Sequence, residues 1–322
     1  MHVLFIIDPL PGFSAWKDTS LSMMQALVAR GHTISVTETK DMFIDAGEVR
    51  CLAQAIRLVD GADLHGTDWW RDEGEPQDSA LQTFDAVLMR KDPPFDLEYF
   101  YATHMLDLAA SRGARVFNSG AALRDHPEKL AIMEFSQFTA PTLVSRDMAR
   151  LRAFHAQHGD IVVKPLDGMG GTGVFRITAQ DGNLGAILEM LTDYGARSIM
   201  AQRYIPDITR GDKRIIIIDG KPMPYSLARI PQPGETRGNL AAGGEGVAQP
   251  LTERDLEIAQ AIGPRLVRRG LLLIGLDVIG DYLTEINVTS PTCFVEIAQQ
   301  TDCNVALHFA LALEKAVGLE PG

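Results

Sequence analysis

The first third of the chain places short apolar runs on either side of an amphipathic segment, a pattern typical of a parallel α/β sheet. Val3–Asp8 and Thr33–Thr37 predict two strands, and Ser20–Arg30 between them predicts a helix that ends before a glycine. The apolar positions at helical spacing in that segment are Leu21, Met24 and Val28. A strand–helix–strand order predicts that the two strands pair in parallel.

Two more strands and a helix continue this pattern. Ala86–Met89 and Val116–Asn118 are apolar runs of strand length, and a helix around Leu97–Arg112 joins them. Residues 60–82 are polar and rich in turn formers, so we interpret them as a surface excursion although they contain two adjacent tryptophans. The loop after the first strand lacks the GxGxxG spacing, which argues against a dinucleotide site there.

About a third of the way along the chain, isolated strands give way to strands joined by tight turns. Asp219-Gly220 and Gly280-Asp281 each lie between apolar runs, which indicates two β-hairpins. Thr252–Arg269 predicts an amphipathic helix whose start has capping-box spacing, and Asn304–Val317 predicts a closing helix. We place a domain boundary within residues 119–126.

Composition and charge agree with a globular chain of about two domains. The chain has 322 residues, 46% of them hydrophobic and 22% charged, and a net charge of −12. These values exclude a disordered chain, and the acidic balance argues against a nucleic-acid partner. No apolar run reaches the roughly 18 residues of a membrane span, and we interpret the N-terminus as a first strand, not a signal peptide. The three cysteines lie far apart and are expected to be reduced, as in the cytoplasm.

Residues 161–178 combine a strand, a lysine and a glycine-rich loop. Lys164 lies near the end of the strand, and four glycines follow before a second apolar run. The glycines are Gly168, Gly170, Gly171 and Gly173. This is not a Walker A loop, because the lysine precedes the glycines and no helix follows. Glycine N–H groups and a lysine nevertheless suit phosphate, the alternative being a hairpin tip with a solvated lysine.

Three oxygen-bearing side chains flank the predicted hairpin at Gly280-Asp281. Glu285 and Asn287 are two residues apart on one strand and therefore share a face. A three-residue loop would place Asp277 opposite Glu285 on that face, whereas a two-residue loop would place it opposite Thr284. We predict the three-residue loop, because it brings together the hard oxygen ligands that suit Mg²⁺ beside a nucleotide. The alternative is a solvent-facing polar edge, which the apolar run around Asp277 disfavours.

Several basic residues stand where an anionic ligand could meet them. Arg90 and Lys91 follow an apolar strand at its carboxyl end, where open α/β sheets bind ligands. Arg214 and Arg229 lie on the two strands of one predicted hairpin, and Arg237 lies in the glycine-rich segment after it. An arginine can hold a carboxylate or a phosphate through two hydrogen bonds. Any one of them alone is more often a solvated or ion-paired surface arginine, whereas several beside a glycine-rich loop favour a binding site.

The segment Ile230–Gly246 has five glycines and two prolines and no periodicity. Loops of this length are mostly functional or disordered, so we interpret it as a lid that shuts water out of the site; a plain flexible loop is the alternative. The residues taken together predict an enzyme that uses Mg²⁺ and a nucleotide and acts on a carboxylated substrate.

Seven segments, spread over a region from residue 1 to about 315, resemble prokaryotic glutathione synthetases. They are MRKDPPFD (89–96), HPEKL (126–130), KPLDGMGG (164–171), MAQRYIP (200–206), DGKPMPYSLARIP (219–231), GETRGNLAAGG (234–244) and LTEINVTSPT (283–292). The resemblance implies an α/β chain with the ATP-grasp fold at 123–322, preceded by a Rossmann-like parallel-sheet domain at 1–122. It further implies a lid subdomain at about 129–203 and a C-terminal subdomain at about 204–322.

That family condenses γ-glutamylcysteine with glycine, using ATP and Mg²⁺, with Mn²⁺ as a possible substitute, through an acyl phosphate. The resemblance implies a homotetramer in the cytoplasm, without nucleic-acid or membrane partners. Two other interpretations compete with it. Another ATP-grasp carboxylate–amine ligase would share the nucleotide and metal residues, whereas a non-catalytic nucleotide-binding module would have little reason to keep the metal ligands and the lid.

The resemblance also implies roles for individual residues. ATP would be held by Lys129, Lys164, Gly168, Met169, Gly170, Gly171, Gln202, Arg203, Tyr204, Ile205 and Asp212. The metal would be held by Asp277, Glu285 and Asn287. The dipeptide and the acyl phosphate would meet Arg90, Arg229, Arg237, Ser290, Thr292 and Glu296. The catalytic charges would be those of Lys164, Arg214 and Arg229.

Overall fold

A mixed eight-stranded sheet forms the N-terminal part of the computed structural model, which describes residues 1–235, 238, 240 and 243–319. Its strands are β1 (His2–Ile6), β2 (Thr33–Thr37), β3 (Met42–Asp45), β4 (Glu48–Leu58), β5 (Trp70–Asp72), β6 (Gln77–Ala80), β7 (Ala86–Met89) and β8 (Val116–Phe117). Its helices are α1 (Thr19–Ala29), α2 (Leu97–Ser111) and α3 (Gly120–Asp125). Strand β1 pairs in parallel with β2 and β7, and β7 pairs in parallel with β8, which confirms the predicted parallel pairing.

The polar segment 60–82 is only partly the surface excursion that its composition suggested. It contains β5 and β6, two short strands that pair antiparallel with the long strand β4. Trp69 is 2% exposed and stacks on Phe13 at 6.0 Å between ring centroids. The interpretation was wrong in this respect, because a short edge strand needs few apolar residues when a long neighbour supplies the pairing.

Helix α1 buries a slightly different face from the predicted one. Of the three residues predicted at helical spacing, Leu21 and Met24 are fully buried, whereas Val28 is 40% exposed. Met23 and Leu27, four residues apart, complete the buried stripe instead. This buried face packs against the sheet on one side and the C-terminal helix α8 on the other. Because α1 contacts two neighbours, its buried face is wider than one stripe and is shifted toward Met23 and Leu27.

A four-stranded antiparallel sheet follows, with two helices packed on it. Its strands are β9 (Thr142–Ser145), β10 (Ile161–Pro165), β11 (Phe175–Ile177) and β12 (Ile199–Arg203), and its helices are α4 (Met148–His158) and α5 (Leu184–Thr192). This unit has its own small core of buried aliphatic side chains. The glycine-rich loop joins β10 to β11, as the sequence pattern predicted.

A five-stranded antiparallel sheet carries the last part of the chain. Its strands are β13 (Asp212–Ile218), β14 (Lys221–Ile230), β15 (Glu245–Pro250), β16 (Leu273–Ile279) and β17 (Tyr282–Asn287), and its helices are α6 (Glu253–Val267), α7 (Phe294–Gln300) and α8 (Val305–Ala316). The hairpin at Asp219-Gly220 is confirmed. The capping box of α6 is also confirmed, since Thr252 and Asp255 each bond the other's backbone N–H. Among the described residues, no helix combines the length and apolar character that crossing a bilayer would require.

Short 3₁₀ helices connect these elements. They are Leu10–Gly12, Ala15–Lys17, Thr39–Asp41, Leu81–Thr83, Ala131–Phe138 and Pro206–Arg210. The first and last sheets share one apolar core, in which Phe5 of β1 lies with Ile216 of β13 and Phe309 of α8. The predicted division at residues 122 and 123 stays a prediction, because this shared core spans both sides of it.

Asn118 adds side-chain hydrogen bonds between the two large sheets to the apolar core that they share. Its buried amide donates to the carbonyls of Leu273 at 2.7 Å and Val288 at 2.9 Å, and accepts from the Leu273 N–H at 3.1 Å. The three backbone groups belong to Leu273, the first residue of β16, and Val288, the residue just after β17, and these two strands carry the predicted metal residues. Asn118 therefore positions the site-bearing hairpin against the N-terminal sheet.

We expect Asn118→Ala to lower the free energy of unfolding by about 2–4 kcal/mol, because it leaves three buried backbone groups without partners. Urea denaturation monitored by circular dichroism measures this. The matched control is Asn183→Ala, an exposed asparagine with no side-chain cap bond, which should change stability by no more than about 0.5 kcal/mol. Equal losses in the two variants would contradict the role given to Asn118.

Candidate functional site

One cavity of about 340 Å³ lies where the glycine-rich loop, the end of β12 and the five-stranded sheet face one another. The predicted residues that line it are Lys129, Lys164, Gly168, Met169, Gly170, Gly171, Gln202, Arg203, Tyr204, Ile205, Asp212, Arg214, Arg229, Asp277, Glu285, Asn287, Ser290 and Thr292. Arg90 and Glu296 lie outside this lining. Arg237 lies outside the described residues. The structure thus brings residues from separate segments, between positions 129 and 292, to one place.

The hairpin between β16 and β17 has a different loop length from the predicted one, but the predicted pairing of Asp277 with Glu285 is present. The loop has two residues, since Ile279 pairs with Tyr282, so the three-residue loop was wrong. Asp277 nevertheless lies opposite Glu285, because a bulge at Thr284 adds one residue to β17 and restores the pairing. The Thr284 hydroxyl donates to the Asp277 carbonyl at 3.1 Å, which holds the bulge in place.

Two buried lysines converge on Glu285. The Nζ atoms of Lys129 and Lys164 each lie 3.5 Å from its Oε1, and Lys164 also donates to the Thr284 carbonyl at 3.3 Å. Burial alone would raise the pKa of Glu285, but the two lysines outweigh it and hold that pKa below its usual range. Burial lowers the pKa of Lys164 although Glu285 opposes the shift. These lysines form a buried positive pair at the cavity wall, next to the glycine-rich loop.

Two arginines and two aspartates form a second buried network. Arg214 holds Asp277 through two hydrogen bonds of 2.5 and 3.0 Å, and Arg229 lies 2.8 Å from the same carboxylate. Arg229 also donates to Asp212 at 2.5 Å. Burial would raise the pKa of Asp277, yet Arg214 and Arg229 outweigh it and hold the pKa well below its usual range. The arginines are thereby fixed in orientation at the cavity wall.

Asp212 is the carboxylate of this network whose pKa is raised. Burial raises its pKa to about 7 although Arg229 opposes the shift, and the nearby carboxylates of Asp277 and Glu285 add to it. Its Oδ1 is buried and has no hydrogen-bond partner among the described residues. This oxygen is therefore available to a polar group of a ligand in the cavity.

The predicted metal residues fit a small hard cation by their donor set. Asp277 and Glu285 face each other across β16 and β17, and Asn287 pairs with Gly275 one step further along the same face. The Asn287 amide nitrogen donates to the Gly275 carbonyl at 3.4 Å, which leaves its oxygen for another partner. Among the described residues no three His, Cys, Asp or Glu side chains form a metal cluster, so the set would need ligands from a bound nucleotide.

The glycine-rich loop is shaped by left-handed backbone. Gly170 has φ +60° and Gly173 has φ +72°, a conformation that favours glycine. Lys129 donates from its ammonium to the Gly168 carbonyl, which ties the loop to the buried lysine pair. Met169 at the tip is 41% exposed. The loop therefore forms an exposed flap over the lysines.

Residues 202–205 form the other wall of the cavity, and two of their backbone N–H groups already donate hydrogen bonds within the protein. Gln202 is buried and donates to the Thr142 hydroxyl at 3.0 Å. The N–H groups of Arg203 and Tyr204 donate to carbonyls at 3.0 and 2.9 Å within the protein. A nucleotide base at this wall would therefore contact other atoms of residues 202–205, including those of the buried Ile205.

The sequence prediction missed three charged residues of the cavity lining, Asp92, Glu128 and Arg176. Glu128 accepts a hydrogen bond from the Thr289 hydroxyl at 2.9 Å, and burial raises its pKa with help from Glu285. Arg176 lies over the Tyr204 ring at 3.8 Å from its centroid. The signal for Glu128 was its place beside Lys129, whereas Arg176 and Asp92 carry no local signal that distinguishes them from surface charges.

The described part of the segment after β14 reaches the cavity. Gly238 and Leu240 line it. A Cβ on Gly238 would lie 2.2 Å from the Arg229 carbonyl oxygen, so only glycine allows this approach. The prediction of a lid stays a prediction, since several of its residues lie outside the described part.

Comparisons with known proteins agree with this geometry. A family model for the N-terminal domain of prokaryotic glutathione synthetase matches residues 1–124, and one for its ATP-grasp domain matches residues 128–302. The glutathione synthetase of Bordetella pertussis is 68% identical over 99% of this chain and 100% of its own length. That of Ralstonia nicotianae is 55% identical over 100% of this chain and 98% of its own length.

Solved structures share the fold at low identity. The D-cycloserine synthetase DcsG superposes with a TM-score of 0.67 at 16% identity, over 98% of this chain and 99% of that one. A RimK domain protein ATP-grasp from Sphaerobacter thermophilus gives a TM-score of 0.63 at 17% identity, over 97% and 99%. These matches show the ATP-grasp fold of the chain.

We expect Asp277→Asn to lower the free energy of unfolding by about 3–5 kcal/mol at pH 7, because it leaves the buried Arg214 without its carboxylate and removes one of the two carboxylates that pair with Arg229. The pKa of Asp277 is depressed in the folded state, so its contribution is present above about pH 4 and is lost as the pH falls further. The difference between wild type and variant should therefore shrink on acidification. Thermal denaturation at pH 7 and at lower pH checks both the size and the sign.

The matched control is Glu73→Gln, which removes the carboxylate of an exposed pair with Arg57 at 3.3 Å. It should cost no more than about 1 kcal/mol at any pH. A loss from Asp277→Asn as small as that of the control would contradict the structural role of the network.

Proposed function

The chain belongs to the prokaryotic glutathione synthetase family, and on that premise we propose that it is an ATP-dependent ligase that joins γ-glutamylcysteine to glycine to form glutathione. The observation that carries the proposal is the convergence of two buried lysines, two buried arginines and the glycine-rich loop on one cavity. Such a site suits phosphoryl transfer to a carboxylate, because catalysis of that step is mostly positioning and charge neutralisation.

The reaction needs an activated carboxylate, because a carboxylate is a poor acyl donor at neutral pH. The cysteinyl carboxylate of the dipeptide would take the γ-phosphoryl group of ATP and become an acyl phosphate. Lys164 and Lys129 would neutralise charge on the transferred group, and the fixed arginines Arg214 and Arg229 would hold the acyl phosphate. The glycine amine would then attack the carbonyl carbon, and phosphate and ADP would leave. No enzyme nucleophile is required.

We propose the following division of the site. Lys129, Lys164 and the loop residues Gly168–Gly171 would hold the phosphates, and the hinge residues Gln202–Ile205 would enclose the base. The Oδ1 of Asp212, which has no partner among the described residues, would accept a hydrogen bond from a ribose hydroxyl. Arg229, Ser290 and Thr292 would contact the dipeptide, as would Arg237.

Asp277, Glu285 and Asn287 would hold Mg²⁺, or Mn²⁺ in its place, together with phosphate oxygens of ATP. The cation would supply charge neutralisation on the β- and γ-phosphates. The support is the donor set itself, two carboxylates and an amide oxygen on one face of β16 and β17.

The family resemblance also supports a homotetramer located in the cytoplasm. The three cysteines are buried and unpaired, which agrees with a reducing compartment. Sedimentation velocity of the purified chain measures the assembly state directly.

The experiment that tests the function is a coupled ADP-release assay with Mg·ATP and γ-glutamylcysteine, with and without glycine. We expect ADP release to depend on glycine, because the acyl phosphate is protected until an amine arrives. The control omits the dipeptide and keeps glycine. Nucleotide binding without glycine-dependent turnover would point to another ATP-grasp ligase, and no nucleotide binding would overturn the proposal.

We expect Glu285→Gln to lower kcat/KM for ATP by at least about 100-fold, while the melting temperature without nucleotide falls by only a few degrees. The carboxylate is 23% exposed and its lysine contacts are 3.5 Å long, so its removal affects ligand binding more than folding. ADP release and differential scanning fluorimetry check the two readouts. Glu257→Gln, in an exposed pair with Arg254, serves as the control. A Glu285→Gln variant that melts far below wild type would contradict the assignment of Glu285 to the metal.

A further inference from the structure

Of the described residues that line the main cavity, five carry carboxylates, and three of these are already paired with buried cations. The paired carboxylates are Asp212, Asp277 and Glu285. Asp92 and Glu128 make no salt bridge among the described residues. Asp92 is exposed, whereas Glu128 is half-buried. Glu128 is therefore a sheltered negative charge that the proposed nucleotide and metal contacts leave unused.

Glu128 is fixed in place by two hydrogen bonds, one to β17 and one to the segment after it. Its backbone carbonyl accepts from the Ile286 N–H at 3.0 Å, and its Oε1 accepts from the Thr289 hydroxyl at 2.9 Å. Its second carboxylate oxygen makes no hydrogen bond to the described residues. Because Glu128 lines the cavity, that oxygen can accept a hydrogen bond from a bound ligand.

Glu128 lies between the two groups that must react. Its neighbour Lys129 holds the glycine-rich loop through the Gly168 carbonyl, on the side proposed for the phosphates. Its hydrogen-bond partner Thr289 precedes Ser290, which lines the cavity on the side proposed for the dipeptide. An acyl phosphate that spans these two sides would have its carbonyl carbon near Glu128.

The second half of the reaction needs a proton acceptor. Free glycine carries an ammonium group at neutral pH, and an ammonium has no electron pair with which to attack a carbonyl carbon. A carboxylate within hydrogen-bond reach attracts the ammonium and can take one of its protons, which frees the amine. Glu128 meets this need better than Asp92, because water competes for an ammonium at the exposed carboxylate of Asp92.

We propose that Glu128 binds the glycine ammonium and accepts its proton, and is therefore a further catalytic residue. This inference rests on the proposed function. One N–H proton moves to the free carboxylate oxygen, and the nitrogen electron pair forms a bond to the acyl carbon. The bond from that carbon to the phosphate oxygen then breaks, and phosphate leaves with the electron pair and the second N–H proton. Glu128 returns its own proton to water before the next turnover.

The surroundings of Glu128 make it a stronger base than a carboxylate in water. Burial raises its pKa, and the Glu285 carboxylate on β17 adds to the shift. The neighbouring Lys129, the Thr289 hydroxyl and Arg214 on β13 oppose it. Proton transfer is faster to a base whose pKa lies closer to the operating pH, so the raised pKa agrees with the proposed role.

The test compares glycine with hydroxylamine as the amine that attacks the acyl phosphate. Hydroxylamine is already unprotonated at neutral pH and reacts without a base, and its hydroxamate product is measured as a coloured ferric complex beside ADP release. We expect Glu128→Gln to lower kcat/KM for glycine by about 100-fold and that for hydroxylamine by less than about threefold. The glutamine amide oxygen can still accept from the Thr289 hydroxyl. Equal losses with both amines would indicate a structural or nucleotide-binding role and would overturn the proposal.

The pH dependence gives a second readout that a structural role would not move. Without the Glu128 carboxylate, only the fraction of glycine that is already unprotonated can react. We therefore expect the ratio of variant to wild-type kcat/KM for glycine to rise about tenfold per pH unit between about pH 7 and pH 9. The ratio cancels the titration of groups that both proteins share, such as Asp212. A ratio that stays constant over this range would contradict the role of Glu128.

Three further variants separate this assignment from its alternatives. Glu128→Asp keeps a carboxylate and should recover at least about tenfold of the glycine activity that Glu128→Gln loses. Asp92→Asn should keep the glycine-to-hydroxylamine ratio within about threefold of wild type. A selective loss of glycine activity in Asp92→Asn, with Glu128→Gln unaffected, would assign the proton to Asp92 and overturn the proposal. Glu98→Gln removes an exposed carboxylate in the first turn of α2 and should change neither rate.

Failure of the proposed function has a different signature. Wild-type enzyme that releases no ADP from γ-glutamylcysteine and Mg·ATP with either amine would overturn the ligase, and with it the role of Glu128. Wild-type turnover with both amines, combined with a Glu128→Gln variant that loses both or neither, would overturn the role of Glu128 alone.

Discussion

Seven charged side chains, five of them buried and two half-buried, surround one cavity, and the rest of the site depends on how they neutralise one another. Four are cations and three are carboxylates: Lys129, Lys164, Arg214, Arg229, Asp212, Asp277 and Glu285. A single buried charge of this kind would be strongly destabilising, and removing one partner of a buried pair is costly for the same reason. The two networks persist because every charge in them has an opposite charge within hydrogen-bond or salt-bridge distance.

The need to pair these charges also affects the register of the five-stranded sheet. Arg214 lies opposite Asp277 across β13 and β16, and Asp212 lies opposite Arg229 across β13 and β14. A slip of one residue in either pairing would turn a charge toward the apolar core, so the charges specify the register as strongly as the apolar residues do. The bulge at Thr284 serves the same purpose, because it keeps Glu285 opposite Asp277 despite a two-residue loop.

Sequence periodicity predicted the elements that carry the site better than their exact pairing. The four parallel-paired strands and the first two helices of the N-terminal sheet, the hairpin at Asp219-Gly220 and the shared face of Glu285 and Asn287 follow from spacing along the chain. The loop length before Tyr282 did not follow from spacing. The bulge at Thr284 depends on the hydrogen bond that the Thr284 hydroxyl donates to the Asp277 carbonyl, and no spacing pattern reports that bond. The contacts of Glu285 with Lys129 and Lys164 span more than a hundred residues, so no local pattern reports them; the family resemblance supplied those assignments.

The pairing of charges also links cation binding to phosphate binding. Glu285 is shared by two lysines and Asp277 by two arginines, so neither carboxylate is fully available to a cation. If the proposed ligands bind here, a phosphate that drew the lysines toward itself would release Glu285 for a cation, and a cation on Glu285 would release the lysines for a phosphate. Each ligand would then lower the cost of binding the other, and by linkage the effect would be reciprocal. A site arranged in this way would favour a metal–nucleotide complex over either component alone.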